Sequence, residues 1–156
     1  MIQRIQSIFL LIVVILSAVL FFVPVAELAG INVLYVQSII KVCDTAEAGS
    51  CINPTYYIAA LNGLVGLIAL ITIFLFTNRK RQMLLGNLNM LLIIAMIVLV
   101  FYTIDKNTGS IKSGVELMAV YKIGAYLPVL MLIFTFLANR FIKKDEELVR
   151  SADRIR

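Results

Sequence analysis

Residues 57–104 read YIAALNGLVGLIALITIFLFTNRKRQMLLGNLNMLLIIAMIVLVFYTI, two charge-free stretches joined by a short basic connection. Each stretch is close to the ~20 apolar residues that a helix needs to cross a bilayer. Lipid offers no partners to backbone N–H and C=O groups, so a segment that crosses it must satisfy them internally, as a helix does. Because only residues 78–82 separate the two stretches, they predict a tight antiparallel hairpin of transmembrane helices.

Two further charge-free stretches, Ile5–Ala26 and Ile123–Asn139, flank this hairpin. The last one is short, so we expect its helix to start near Leu117, with Lys122 extending its long stem outward. The 156 residues are 62% hydrophobic, whereas a soluble domain is about 45–50% apolar. We therefore predict an all-α membrane protein, a four-helix transmembrane bundle in one domain over residues 1–156. Its predicted spans are residues 5–26, 54–78, 82–104 and 117–139.

The basic residues are divided unequally between the two sides of this predicted bundle. Lys and Arg accumulate in the cytoplasmic segments of membrane proteins. Of the 14 basic residues, ten lie in the N-terminus, the second connection and the C-terminal tail, against four in or next to the outer loops, residues 27–53 and 105–116. This predicts that both termini are cytoplasmic. The expected topology anchors are Arg4, Arg79, Lys80, Arg81, Arg140, Lys143 and Lys144.

The tyrosines agree with four spans. Tyrosine prefers the membrane interface, where its ring is buried and its hydroxyl is hydrated. All six tyrosines fall in the predicted outer loops or at outer span ends, and an error of one span would scatter them over both sides. They are Tyr35, Tyr56, Tyr57, Tyr102, Tyr121 and Tyr126.

The two outer loops contain segments that favour β-structure. Residues 31–37 are rich in β-branched and aromatic types, and Lys-Asn-Thr-Gly within residues 103–112 is typical of a hairpin turn with Gly109 at φ > 0. The two loops could thus pair into a small β-sheet over the outer end of the bundle.

Cys43 and Cys51 are the two cysteines of the chain, and both lie in the first outer loop. If this loop faces an oxidising compartment, a disulfide between them is the natural interpretation. The alternative is a pair of reduced thiols. We expect no metal site, because the chain has no His and no acidic pair with convincing ligand spacing.

The predicted spans contain amides but almost no ionisable groups, with Lys122 at an edge as the exception. Coupled transporters usually carry ionisable side chains within the membrane, so this pattern argues against coupled transport. The polar candidates are Asn62, Asn87 and Asn89, which could line a polar path, although such residues more often join neighbouring helices by hydrogen bonds. With no His and no G-x-S-x-G, HExxH or P-loop motif, we expect no enzyme and no cofactor.

The C-terminal segment, residues 140–156, predicts a mixed-charge amphipathic helix that continues from the fourth span. Its apolar face has helical spacing and consists of Phe141, Leu148, Ala152 and Ile155. This face has four possible destinations: the inner leaflet of the lipid bilayer, the bundle itself, another copy of the chain, or a cytoplasmic protein. A solvated helix end is the simpler alternative. No nucleic-acid partner is expected, because acidic residues interleave with the basic ones and the net charge of +5 reflects the topology.

The terminal motifs MIQRIQS and NRxIKKDEELVRSxDRIR resemble the two ends of a bacterial four-span membrane family catalogued as a domain of unknown function. This resemblance implies an inner-membrane protein and agrees with the span count. It carries no assigned active residues. Phe141 is bulkier than the resemblance leads us to expect at its position.

Three functions remain open. The first is a non-enzymatic structural or partner-binding component of the bacterial inner membrane, acting through its tail as a homo-oligomer or on a cytoplasmic protein. The second is a small transporter or channel subunit that uses the intramembrane asparagines. The third is a lipid-modifying membrane enzyme.

Overall fold

A computed structural model of the protein describes residues 2–28, 32–34, 56–75, 79–109 and 119–153. Over these residues the chain forms four helices, α1 (Ile2–Leu20), α2 (Tyr56–Phe74), α3 (Arg79–Gly109) and α4 (Ile123–Asp153). It also forms three short strands, β1 (Ala26–Leu28), β2 (Asn32–Leu34) and β3 (Ala119–Tyr121). The prediction of four helices is confirmed for this part of the chain.

The helices pack in a ring, in which α1 contacts α2 and α4, and α3 contacts the same two helices. Contacts at both ends of the α3–α4 pair show that these helices are antiparallel. Gly86 packs against Asn139, and the rings of Phe101 and Tyr121 lie 5.7 Å apart near the opposite end. α3 and α4 are thus an antiparallel pair, as is usual for neighbouring helices in a bundle.

Apolar side chains of different sizes fill the interior of the ring. The residues with no exposed surface include one or more from every helix, and burying such side chains is the main favourable contribution to packing. They are Val13, Leu20, Val65, Ala69, Ile93, Met96, Met131 and Ala138. The apolar residues on the outer faces are exposed instead, among them Leu67, Leu91, Val98 and Phe136.

The three strands form one sheet in the order β2-β1-β3, with both pairings antiparallel. The predicted hairpin turn at Gly109 is wrong, because residues 103–109 belong to α3. The third strand comes instead from the residues before α4, where Ala26 pairs with Tyr121. In this part of α3, Thr103 Oγ1 donates to the Leu99 carbonyl at 2.7 Å. The positive charge of Lys106 in the last turn also interacts favourably with the helix dipole.

The end of the first helix also differs from the prediction. The charge-free stretch runs to Ala26, but α1 ends at Leu20 and the chain turns before β1. Pro24 explains the difference, because proline disfavours helical geometry in the residue before it. Val25 and Ala26 are buried in extended backbone, so their apolar character serves the sheet and not a helix.

The start of the fourth helix is later than predicted, at Ile123 and not near Leu117. Residues 119–121 form β3, and the amides of Lys122 and Gly124 donate to the carbonyls of Val25 and Pro24 at 3.0 and 3.1 Å. A Cβ at Gly124 would lie 2.5 Å from the Pro24 carbonyl oxygen, so this approach requires glycine. The predicted start of the second helix, at residue 54, lies outside the described residues.

Candidate functional site

At one end of the bundle, the end of α2 lies beside the parts of α1, α3 and α4 that carry the predicted anchors. Phe9, near the start of α1, stacks on Phe141 of α4 with ring centroids 5.6 Å apart. Gln82, near the start of α3, donates through Nε2 to the Thr72 carbonyl, near the end of α2, at 3.4 Å. We call this the basic end of the bundle.

The topology anchors all belong to helical segments at this basic end. Four of them have exposed side chains, namely Arg81, Arg140, Lys143 and Lys144. The other three, Arg4, Arg79 and Lys80, lie in α1 and α3, and their side chains are outside the described part. The fold thus brings separated basic segments of the sequence together in space.

A groove with a volume of about 340 Å³ opens between α3 and α4 at the basic end. It combines apolar side chains with amides and two cations, which is the usual composition of a site for an amphipathic ligand. Its lining residues are Met83, Asn87, Met90, Phe136, Asn139, Arg140 and Lys143.

A side-chain hydrogen bond spans the groove. Asn139 Nδ2 donates to Asn87 Oδ1 at 3.2 Å. The other end of the Asn139 amide lies against Gly86, where an added Cβ would overlap Asn139 Oδ1. This Oδ1 is buried and has no hydrogen-bond partner among the described residues. Glycine at position 86 therefore makes room for the amide that orients Asn87.

Asn62 has a different environment, in the contact between α1 and α2. Its Nδ2 donates to the Ser17 carbonyl at 2.9 Å, and Ser17 Oγ donates to the Asn62 carbonyl at 3.1 Å. Ser17 lies in the last turn of α1, where carbonyls lack an intrahelical donor. A Cβ at Gly66 would lie 2.6 Å from Ser17 Oγ. Asn62 thus satisfies the end of one helix from its neighbour.

Asn89 is buried inside the ring at 1% exposure, and neither of its amide atoms has a partner in the described part of the chain. It lies one turn from the Gly86–Asn139 contact, at about the depth of Thr135 on the antiparallel helix. The three predicted asparagines therefore do not line one path. Asn62 joins α1 to α2, Asn87 is exposed on the groove, and Asn89 points inward.

The predicted tail face is divided by the structure. The backbone of α4 continues through Ala152 to Asp153. Phe141 is half-buried against Phe9, whereas Leu148 exposes 49% of its surface. The side chain of Ala152 and all of Ile155 lie outside the described residues, as do Cys43 and Cys51. Among the residues described, no group of three or more His, Cys, Asp or Glu side chains could hold a metal ion.

Sequence reasoning missed Gly86 and Asn139. Gly86 and Asn139 interact across different helices, and a single sequence does not give the relative register of two helices. The sequence does contain one signal for Asn139, which is its position at the boundary of the charge-free stretch. It is the last residue before Arg140 and stands two residues before the apolar pair Phe141-Ile142.

The described structure is compatible with a membrane protein. Three helical segments are long and apolar enough to cross a membrane, Tyr56–Phe74, Arg81–Lys106 and Ile123–Asp145, and Gln6–Leu20 is a shorter apolar helix. The chain belongs to the family described as Domain of unknown function (DUF4293), which it matches over residues 2–155. No curated protein and no solved structure matches the chain.

Proposed function

We propose that the protein is a non-enzymatic component of the bacterial inner membrane that binds a protein through its C-terminal helix. In this proposal the four helices span the bilayer, and both termini are cytoplasmic. The unequal distribution of Lys and Arg supports this orientation, and the outward-facing apolar side chains of the bundle suit a lipid environment.

The observation that carries the proposal is the length and surface of α4. This single helix of 31 residues leaves the apolar bundle and continues through a charged segment. Phe141 and Ile142 pack within the bundle, but Leu148 lies about two turns beyond Phe141 and exposes 49% of its surface. An exposed leucine on a rigid helix that projects from the membrane is suited to packing against another protein.

Site-specific photo-crosslinking in native membranes tests this function. A crosslinking amino acid is placed at Leu148, and a matched control places it at Lys143, about 140° around the same helix. We expect a discrete protein adduct from position 148 and none from position 143. In a second experiment the crosslinker is placed at Lys144, and the adduct formed from there should disappear when Leu148→Asp is introduced. Adducts of equal yield from positions 148 and 143, or none from either, would refute binding through this face.

The adduct also identifies the kind of partner. An adduct of twice the mass of the chain indicates a second copy, and any other discrete mass indicates a different protein. Either result agrees with a binding component, whereas crosslinking to lipid alone from position 148 contradicts it.

Asn89 favours a second candidate, a small transporter or channel subunit. A buried amide with two unsatisfied ends is costly and is retained where a polar solute or water uses it. If this is its role, Asn89→Leu abolishes solute leakage from vesicles that contain the purified protein, while Asn62→Leu leaves leakage unchanged in molecules that remain folded. Equal leakage from the wild type and Asn89→Leu rules this candidate out.

A further inference from the structure

The groove between α3 and α4 has an apolar part and a cationic part. Met83, Met90 and Phe136 supply the apolar surface, and Arg140 and Lys143 supply two positive charges. The side chains of both cations are exposed. A ligand that matches this surface carries a hydrocarbon chain on one side and an anionic group on the other.

The position of the groove along the helices gives a second constraint. Its α3 residues lie in the first turns of the charge-free stretch that begins at Gln82, and Arg140 is the first charged residue after the stretch that ends at Asn139. If the bundle spans a bilayer as proposed above, the groove therefore lies at the boundary between hydrocarbon and headgroups. Basic pockets between helices at this level suit anionic headgroups.

The amides add an oriented donor. Because Asn87 Oδ1 accepts the hydrogen bond from Asn139, the N–H groups of Asn87 remain for another acceptor. Arg, Lys and amide N–H groups are all donors to phosphate oxygens, and charge-assisted bonds of this type are the stronger ones. The lining of the groove thus includes three donor groups, those of Asn87, Arg140 and Lys143.

We propose that this groove is a binding site for one anionic phospholipid. Its phosphate binds Arg140 and Lys143 with support from Asn87, and an acyl chain lies against Met83, Met90 and Phe136. A zwitterionic lipid is a poorer ligand because its own ammonium group is repelled by the two cations. The proposal rests on the proposed membrane embedding, but it does not depend on a protein partner for the tail.

The test is lipid retention by the purified protein, measured by native mass spectrometry after release from mixed micelles that contain phosphatidylglycerol and phosphatidylethanolamine. The test variant is Arg140→Gln with Lys143→Gln. The matched control is Arg81→Gln with Lys144→Gln, which removes two exposed charges from the same end but outside the groove lining.

We expect the test variant, which lacks two basic residues, to bind phosphatidylglycerol about 25-fold more weakly than the wild type, because each basic residue near an anionic headgroup contributes about a factor of five. The control should change binding less than about twofold, as expected for general surface charge. Equal losses in both variants, or no loss in either, would overturn the site. Circular dichroism of both variants verifies that the helices are intact.

Two further arms separate a lipid from a free phosphate. An excess of inorganic phosphate should not displace the bound phosphatidylglycerol, and Phe136→Ala, at an exposed side chain, should weaken its binding severalfold. Displacement by phosphate together with an unaffected Phe136→Ala variant would mean that the groove holds only a small anion. Recovery of the wild type in the soluble fraction would instead refute the membrane embedding itself, and so the two failures are distinguishable.

Discussion

The α1–α2 contact and the α3–α4 contact are built from similar residues, but the first lies in the interior of the bundle and the second borders a groove. In the first, Asn62 and Gly66 meet Ser17, and two reciprocal hydrogen bonds of 2.9 and 3.1 Å close the contact in the interior. In the second, Asn139 meets Gly86 and donates to an exposed Asn87 beside a groove of about 340 Å³. The first contact has its hydrogen bonds inside the bundle, and the second places polar groups beside the groove.

This difference shows that an asparagine in an apolar helix has no fixed role. The same side chain is a structural link where a neighbouring helix presents an unsatisfied carbonyl, and it lines a groove where the neighbouring helix carries two cations. Which role applies depends on depth and on register, and the two contacts lie at different depths of one bundle.

The largest difference between the two contacts is expected in the free energy of unfolding when Asn62 and Asn87 are each replaced by leucine. We expect Asn62→Leu to lower the free energy of unfolding by about 1.5 kcal/mol, because the buried Ser17 carbonyl loses its donor. Asn87→Leu should change it by less than about 0.5 kcal/mol, as is usual at an exposed position. Unfolding by SDS in mixed micelles, followed by circular dichroism, measures both. Equal losses for the two variants would remove the distinction between the contacts.

A smaller effect is expected from adding one methyl group to glycines. Gly66→Ala should be about 1 kcal/mol less stable than Gly63→Ala, because its Cβ displaces Ser17 Oγ and breaks a hydrogen bond. Gly63 is the matched control on the same helix, since its nearest added contact is Phe21 Cζ at 4.0 Å.

Gly86→Ala completes this series in the same unfolding assay. It displaces only the end of the Asn139 side chain, which can rotate into the groove, so its stability should lie closer to that of Gly63→Ala. A loss of stability in Gly86→Ala as large as that in Gly66→Ala would show that the α3–α4 contact is packed as tightly as the α1–α2 contact.

The sequence predicts the helices because a charge-free stretch long enough to cross a bilayer satisfies its backbone hydrogen bonds in lipid by forming a helix. It also predicts that separated basic segments share one end of the bundle. It does not predict where α1 ends, since Val25 and Ala26 are as apolar as the helix before them and the strand pairing is with residues 119–121. Nor does it predict the groove, because the Asn139 contacts with Asn87 and Gly86 join residues of two helices and depend on how these are rotated against each other.

The central strand of the small sheet imposes an order on the assembly of the chain. β1 follows the first helix, but one of its two partners is β3, just before the last helix, and the carbonyls of Pro24 and Val25 are bonded by Gly124 and Lys122. During synthesis, the first helix is therefore made long before the residues that fix its end. Until translation reaches the fourth helix, the neighbours already made are β2, which pairs with β1, and α2, which packs on α1. Closure of the ring therefore requires the fourth helix, and a chain that stops before residue 119 leaves that edge of β1 open.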